Sequence, residues 1–202
     1  MDILNSKIYR IGEILVNLIM LNLLWLVACL PVVTAFPATA AMFGVVRDWI
    51  RDTDSGIIAP FVRHFRANFA QSLWIGVLWV VAGCVLLIDF VVIGGLEAWL
   101  QVLAVSLLAL VTLCLVLASL YIFPVMVNYE GQWLNVVKNS FLIAFSQLGT
   151  TLLCLLVVVL AALLLLYVPI AAIIAGSGAA YVIYLLCGQA FRRIEAAKGT
   201  ES

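Results

Sequence analysis

Charge is what this sequence has least of. Ten basic and ten acidic residues make up a tenth of its 202 positions, where a soluble domain carries about a quarter. The zero net charge argues against a nucleic-acid partner, which would need a basic footprint to neutralise phosphates. Histidine is scarcer still. His64 stands alone, so neither a histidine metal cluster nor a histidine-based triad with a spare can be assembled. HExxH, GxSxG and a Walker-type glycine loop are all missing. The five cysteines, Cys29, Cys84, Cys114, Cys154 and Cys187, sit inside apolar runs with no CxxC pair and no adjacent histidine. They read as small buried apolar side chains, not as metal ligands or disulfides. These absences predict a non-enzymatic chain that uses no cofactor.

What the chain does have is apolar length. Two thirds of its residues are hydrophobic, at a mean hydropathy of +1.27, and about 20 such residues in a row cross a bilayer. The fold class expected is all-α, a polytopic transmembrane helix bundle, folded as one membrane domain over 1–202. Ile14–Val46 contains no charged side chain and is interrupted by Pro31 and Pro37; it is too long for one upright span and short for two. The remaining charge-free runs predict spans at 71–94, 99–123, 148–167 and 170–190. Leu26–Cys29 resembles a lipoprotein signal, but more apolar sequence follows it, which speaks against that processing.

Topology follows from the basic residues, which favour cytoplasmic loops. Arg47, Arg51, Arg63, Arg66, Lys138 and the C-terminal cations share one side if the firm spans alternate. Lys7 and Arg10 join them only if Ile14–Val46 crosses twice, over 11–31 and 37–52. Six spans with both termini in the cytoplasm is the preferred reading. A five-span rival leaves Ala38–Asp52 lying flat in the interface and the N-terminus outside.

Phe65-x-x-x-Phe69-Ala-Gln71 recurs as Phe141-x-x-x-Phe145-Ser-Gln147 at an offset of 76. Phe61, Phe65 and Phe69, and Trp133, Val137, Phe141 and Phe145, repeat every fourth residue, which predicts amphipathic helices on the cytoplasmic membrane surface over 58–70 and 132–147. Arg63 and Arg66 would lie on the polar side of the first, facing anionic lipid or a protein partner.

Ionisable and amide groups inside a bilayer are the candidates for function. Glu13, Asn17 and Asn22 share a face of the first helix. They are read either as a Glu13–Arg10 pair with asparagines bonding between helices, or as the lining of a solute path. Asp89 falls at the outer boundary. Ser106, Ser119 and Ser177 are expected to bond back to their own helices. Ala172, Gly176 and Ala180 form a small-residue ridge for helix packing, within the chain or in a homo-oligomer.

The string Asn22-Leu-Leu-Trp-Leu, Leu30-Pro31-Val-Val-Thr34, Pro37-Ala-Thr-Ala-Ala41 and Val46-Arg47 resembles the signature of the YesL-like family of bacterial membrane proteins. Phe61, Phe65-Arg-x-Asn68-Phe69 and Tyr121-x-Phe123-Pro124 resemble its later motifs. The family is a domain of unknown function with no established site residues. Its members tend to sit among genes for carbohydrate uptake, which implies an accessory to sugar import, working with the bilayer and a transporter component. A small-solute transporter or channel is the alternative.

Overall fold

The computed structural model describes residues 2–95, 97–129 and 132–199, with side chains described over 12–95, 97–129 and 132–189. Among the described residues every regular element is a helix, and there is no strand. It runs α1 Asp2–Ala28, α2 Ala35–Ile50, α3 Ile58–Ile93, α4 Ala98–Asn128, α5 Trp133–Ser146, α6 Leu148–Tyr167 and α7 Ala175–Gly199, with 3₁₀ turns at Val32–Thr34 and Pro169–Ile173.

Among the described residues three helices, α3, α4 and α6, are long and apolar enough to cross a membrane. The described apolar part of α1 is the shorter stretch Gly12–Ala28, and α2 has 16 residues, a length of ~24 Å. Helix length therefore supports a helical membrane bundle, but not six full crossings.

The helix that sequence made most ambiguous lies at the centre. Ten of the 16 residues of α2 are buried, enclosed by α1, α3, α4 and α7. Its composition explains this position: Ala35, Ala38, Ala40, Ala41 and Gly44 let neighbouring helices approach closely. Phe43 and Phe36 both meet Phe123 of α4, with ring centroids 5.8 and 5.9 Å apart. Trp25 of α1 donates its indole N–H to Thr39 Oγ1 at 3.1 Å. α2 is therefore a packed element of the bundle, whichever way it lies relative to the bilayer.

The amphipathic segment expected at 58–70 does not end before a span. It is the first third of α3, which continues unbroken for 36 residues, ~54 Å. The cause is α2, which runs antiparallel beside it. A Cβ on Gly44 would lie 2.4 Å from His64, and one on Gly76 would lie 3.0 Å from Phe36. One straight helix thus uses α3 on both sides of Gln71, and a turn there would break that packing. The second copy behaves differently. Gln147 leaves helical geometry at φ −123°, ψ 50°, and separates α5 from α6. Thr151 then ties the joint together, donating to the Ala144 carbonyl at 2.8 Å and lying 3.1 Å from the Tyr121 hydroxyl of α4.

Two further boundaries differ from expectation. α4 passes through Pro124 and ends at Asn128, where the sequence suggested a stop at Phe123-Pro124. α7 begins at Ala175, so Ala172 lies in the preceding 3₁₀ turn and not on one ridge with Gly176 and Ala180.

Candidate functional site

At the end of α2 the chain buries a carboxylate that sequence reading passed over. Asp48 is one helical turn beyond Gly44, so both face α3, and it is 3% exposed. Its Oδ1 accepts from Arg47 Nε at 3.2 Å and Nη2 at 3.1 Å. Its Oδ2 accepts from Arg63 Nη2 at 2.9 Å and from His64 Nε2 at 2.7 Å. Arg47 Nη1 also donates to the Val127 carbonyl of α4, and Arg63 Nη1 reaches Asp54 at 3.3 Å. Buried charge is tolerated when paired and hydrogen-bonded, and here both carboxylate oxygens are occupied. The cluster clamps α2 to α3 and α4.

His64 enters this cluster because Gly44 has no side chain. The imidazole lies where a Cβ would be, with Cγ, Cδ2 and Nδ1 all under 3 Å from it. The signal available in the sequence was Gly44-x-x-x-Asp48 beside Arg63-His64, but the charges look interfacial until the fold brings them together.

Two cavities flank the segment that links α2 to α3. One, of about 530 Å³, is lined by Arg47, Asp48, Arg51, His64, Asn68 and Asn128 among others. The other, of about 570 Å³, is lined by Glu13, Asn17, Asp52, Asp54, Ser55 and Tyr181 among others. Glu13 and Asn17 therefore open onto an acidic hollow at the same end of the bundle.

Asn22 is separated from them. It is fully buried, and donates through Nδ2 to the Ala172 carbonyl at 2.6 Å. Its Oδ1 accepts from the Ser177 backbone N–H at 3.0 Å. Ser177 in turn donates to the Leu18 carbonyl at 2.8 Å, so this serine bonds across helices, whereas Ser106 and Ser119 bond back within α4. The three-residue polar face is thus divided into a two-residue cavity wall and an interhelical lock. The side chain of Arg10 lies outside the described residues, and with it the Glu13–Arg10 pair.

Gly176 belongs to this lock. A Cβ there would lie 2.6 Å from Asn22 Oδ1 and 3.4 Å from the Trp25 ring. Its small size serves packing of α7 on α1 within the chain, and Ala180 beside it is buried. Arg63, expected at a lipid or partner surface, is committed on one edge to Asp48 and Asp54, while Arg66 is exposed. Phe61, expected on a lipid-facing stripe, is 3% exposed against the core. Among the described residues no group of three His, Cys, Asp or Glu side chains is arranged to hold a metal ion.

A family model described as a protein of unknown function, DUF624, matches residues 18–90, from α1 through α2 to most of α3. Three uncharacterized proteins of Bacillus subtilis (strain 168) are similar to this chain. YesL is 33% identical over 137 residues, covering 66% of this chain and 64% of YesL. YteU is 29% identical over 168 residues, covering 81% and 75%. YesV is 28% identical over 129 residues, covering 62% of each. The chain spans just under two thirds of YesL. No solved structure matches.

Proposed function

We propose, from the similarity to YesL, that this chain is a non-enzymatic multi-pass protein of the bacterial cytoplasmic membrane that assists carbohydrate uptake beside a transporter component. The observation that supports the membrane placement is the distribution of polar groups, while the carbohydrate-uptake part rests on the resemblance to the YesL-like family. The Asp48 cluster, both large polar cavities and the described cations Arg47, Arg51, Arg63 and Arg66 gather where α2 ends and α3 begins. Away from that end, α3, α4 and α6 present exposed Leu, Val, Ile and Phe side chains, which suits lipid. The deepest member of the candidate solute path, Asn22, is closed by its own hydrogen bonds, so the path reading loses its inner step.

In this reading the end bearing the arginines faces the cytoplasm, both termini lie there, and α1–α2 and α6–α7 are two hairpins beside the α3–α4 pair. The turn between α1 and α2 is apolar and outward-facing, with Leu30, Val32 and Val33 at 79%, 85% and 67% exposure. Such a tip fits hydrocarbon better than water.

The alternative is a small-solute transporter that uses the Glu13 and Asn17 cavity. The two readings separate in liposomes. The purified protein alone should give no sugar flux, affinity purification in mild detergent should recover a transporter component, and deletion should lower sugar uptake in cells. Flux through the purified protein that is lost in Glu13→Gln would overturn the accessory reading in favour of transport.

A further inference from the structure

Sequence pattern places Asp89 at the outer boundary, and the structure sets it in the wall of an apolar groove. α2 accompanies α3 only as far as Phe36, beside Gly76. Beyond Trp79, whose indole N–H donates to Ser119 Oγ at 2.7 Å, α3 continues beside the first half of α4, and most of the Val, Leu and Ile side chains there are exposed. Between the two helices runs a groove of about 450 Å³, its walls drawn from 82–93 of α3 and 104–115 of α4. Asp89 is the one ionisable residue lining it.

Trp99, exposed in the first turn of α4, donates its indole N–H to Glu97 at 3.2 Å, which suits a tryptophan at headgroup level. Ala104, in the groove with Asp89, lies ~7.5 Å further along the same helix. On α3 a turn of apolar residues, Phe90 to Ile93, still follows the aspartate. The carboxylate is therefore about a turn below the interface, a depth at which charge is costly unless paired. Among the described residues it has no ion-pair or hydrogen-bond partner.

The cations of this chain belong to the other end of the bundle. Arg66, the last one before Asp89 on α3, lies ~35 Å back along that helix, and Lys138 is on α5, which follows the far end of α4. The cations of α1 fall in its first turns, before Glu13, and those of α7 in its last turns, beyond Tyr184. Glu13 and Tyr184 both sit at the Asp48 end, beside Asp52 and Asn128 respectively. A cation for Asp89 has to come from outside the chain. A second copy in the same orientation carries its cations at the wrong end. A lipid amine sits at headgroup level, whereas a basic side chain on a helix can be placed a turn deeper. The groove is three helical turns long, ~16 Å, and Ala82 and Ala104 in its walls let a backbone approach closely.

We propose that the α3–α4 groove receives a transmembrane helix of a partner protein, with a lysine or arginine of that helix paired to Asp89. The inference rests on the membrane placement proposed above and not on carbohydrate uptake.

The test uses the full chain with a donor fluorophore at its C-terminus, in phosphatidylcholine vesicles. The probe is an acceptor-labelled leucine–alanine transmembrane peptide with one lysine a turn and a half from its end; a second peptide has leucine there. Energy transfer should saturate with the lysine peptide and need ~10-fold more of the leucine peptide, the worth of one charge-assisted contact. Asp89→Asn should abolish that preference, and Asp89→Lys should transfer it to a peptide with glutamate in place of the lysine. Ala104→Leu, which fills the groove and keeps the carboxylate, should weaken both original peptides, and Glu97→Gln, outside the groove, should change neither. Equal transfer with the lysine and leucine peptides, transfer with neither, or a lysine preference that survives Asp89→Asn overturns the proposal. Transfer between two labelled copies that Asp89→Asn removes would assign the groove to a second copy and overturn it too. Retention of phosphatidylethanolamine in native mass spectrometry that depends on Asp89, without peptide transfer, would overturn it in favour of lipid. Sugar flux is no part of the readout, so failure here leaves the accessory reading standing, and maleimide access to Val33→Cys tests the membrane placement separately.

Discussion

Replacing Asp48 by alanine removes the one carboxylate on which three cationic or hydrogen-bonding side chains converge. The three are not equal. The His64 side chain is 9% exposed and that of Arg47 is 27% exposed, so both are left with little water to replace the lost partner. Arg63 is 57% exposed and also holds Asp54, so it re-solvates at small cost. Breaking a buried pair from one side costs about 3–5 kcal/mol, and most of that should come from Arg47 and His64. Arg63→Gln, by contrast, removes a screened contact from an exposed partner and should cost ~0–1 kcal/mol. Equilibrium unfolding in mixed dodecyl maltoside and sodium dodecyl sulfate micelles measures both. The decisive comparison is the difference between them. If Asp48→Ala destabilises no more than Arg63→Gln, the carboxylate is not an internal clamp, and α2 is held to α3 and α4 by packing alone.

Gly44→Ala should cost ~1–3 kcal/mol by overpacking, because the new Cβ meets the His64 ring at 2.4 Å. Its effect should shrink sharply in a His64→Ala background, and additivity of the two in the same unfolding assay would contradict the contact. Asn22→Leu strands the Ala172 carbonyl and the Ser177 N–H, at ~1–3 kcal/mol for each unsatisfied group. Limited proteolysis should then cut faster near residues 168–174; an unchanged digestion rate would argue against the lock. In a cysteine-free background, Val33→Cys should resist a membrane-impermeant maleimide in intact cells and in inverted vesicles until detergent is added. Labelling from outside would put the tip of the α1–α2 hairpin in water.

The repeat around Gln71 and Gln147 shows how far local pattern carries. Both copies read as an amphipathic helix leading into a span, and both are helical. Only the second has the break, because α2 packs along α3 from His64 to Gly76 and holds it straight. Residue pattern set the periodicity; a neighbour distant in sequence set the bend. Asn22 was legible as an interhelical hydrogen-bonding group, yet its partners, the Ala172 carbonyl and Ser177, stand 150 and 155 residues away. The local sequence marks Asp48 only weakly, by Gly44 one turn before it, since an aspartate between Arg47 and Arg51 at a helix end looks solvated.

By itself the sequence determined the apolar surroundings, the helical class and the similarity to YesL. Those rest on composition, apolar run length and local motifs, all of which are one-dimensional. Tertiary structure decided that α2 is the centre of the bundle, that Asp48 is buried, and that the Glu13, Asn17 and Asn22 face divides into a cavity wall and a lock. The physical reason is the same in each case. Charge cost, packing and hydrogen-bond satisfaction depend on what lies across from a residue, and that is fixed only when distant helices meet.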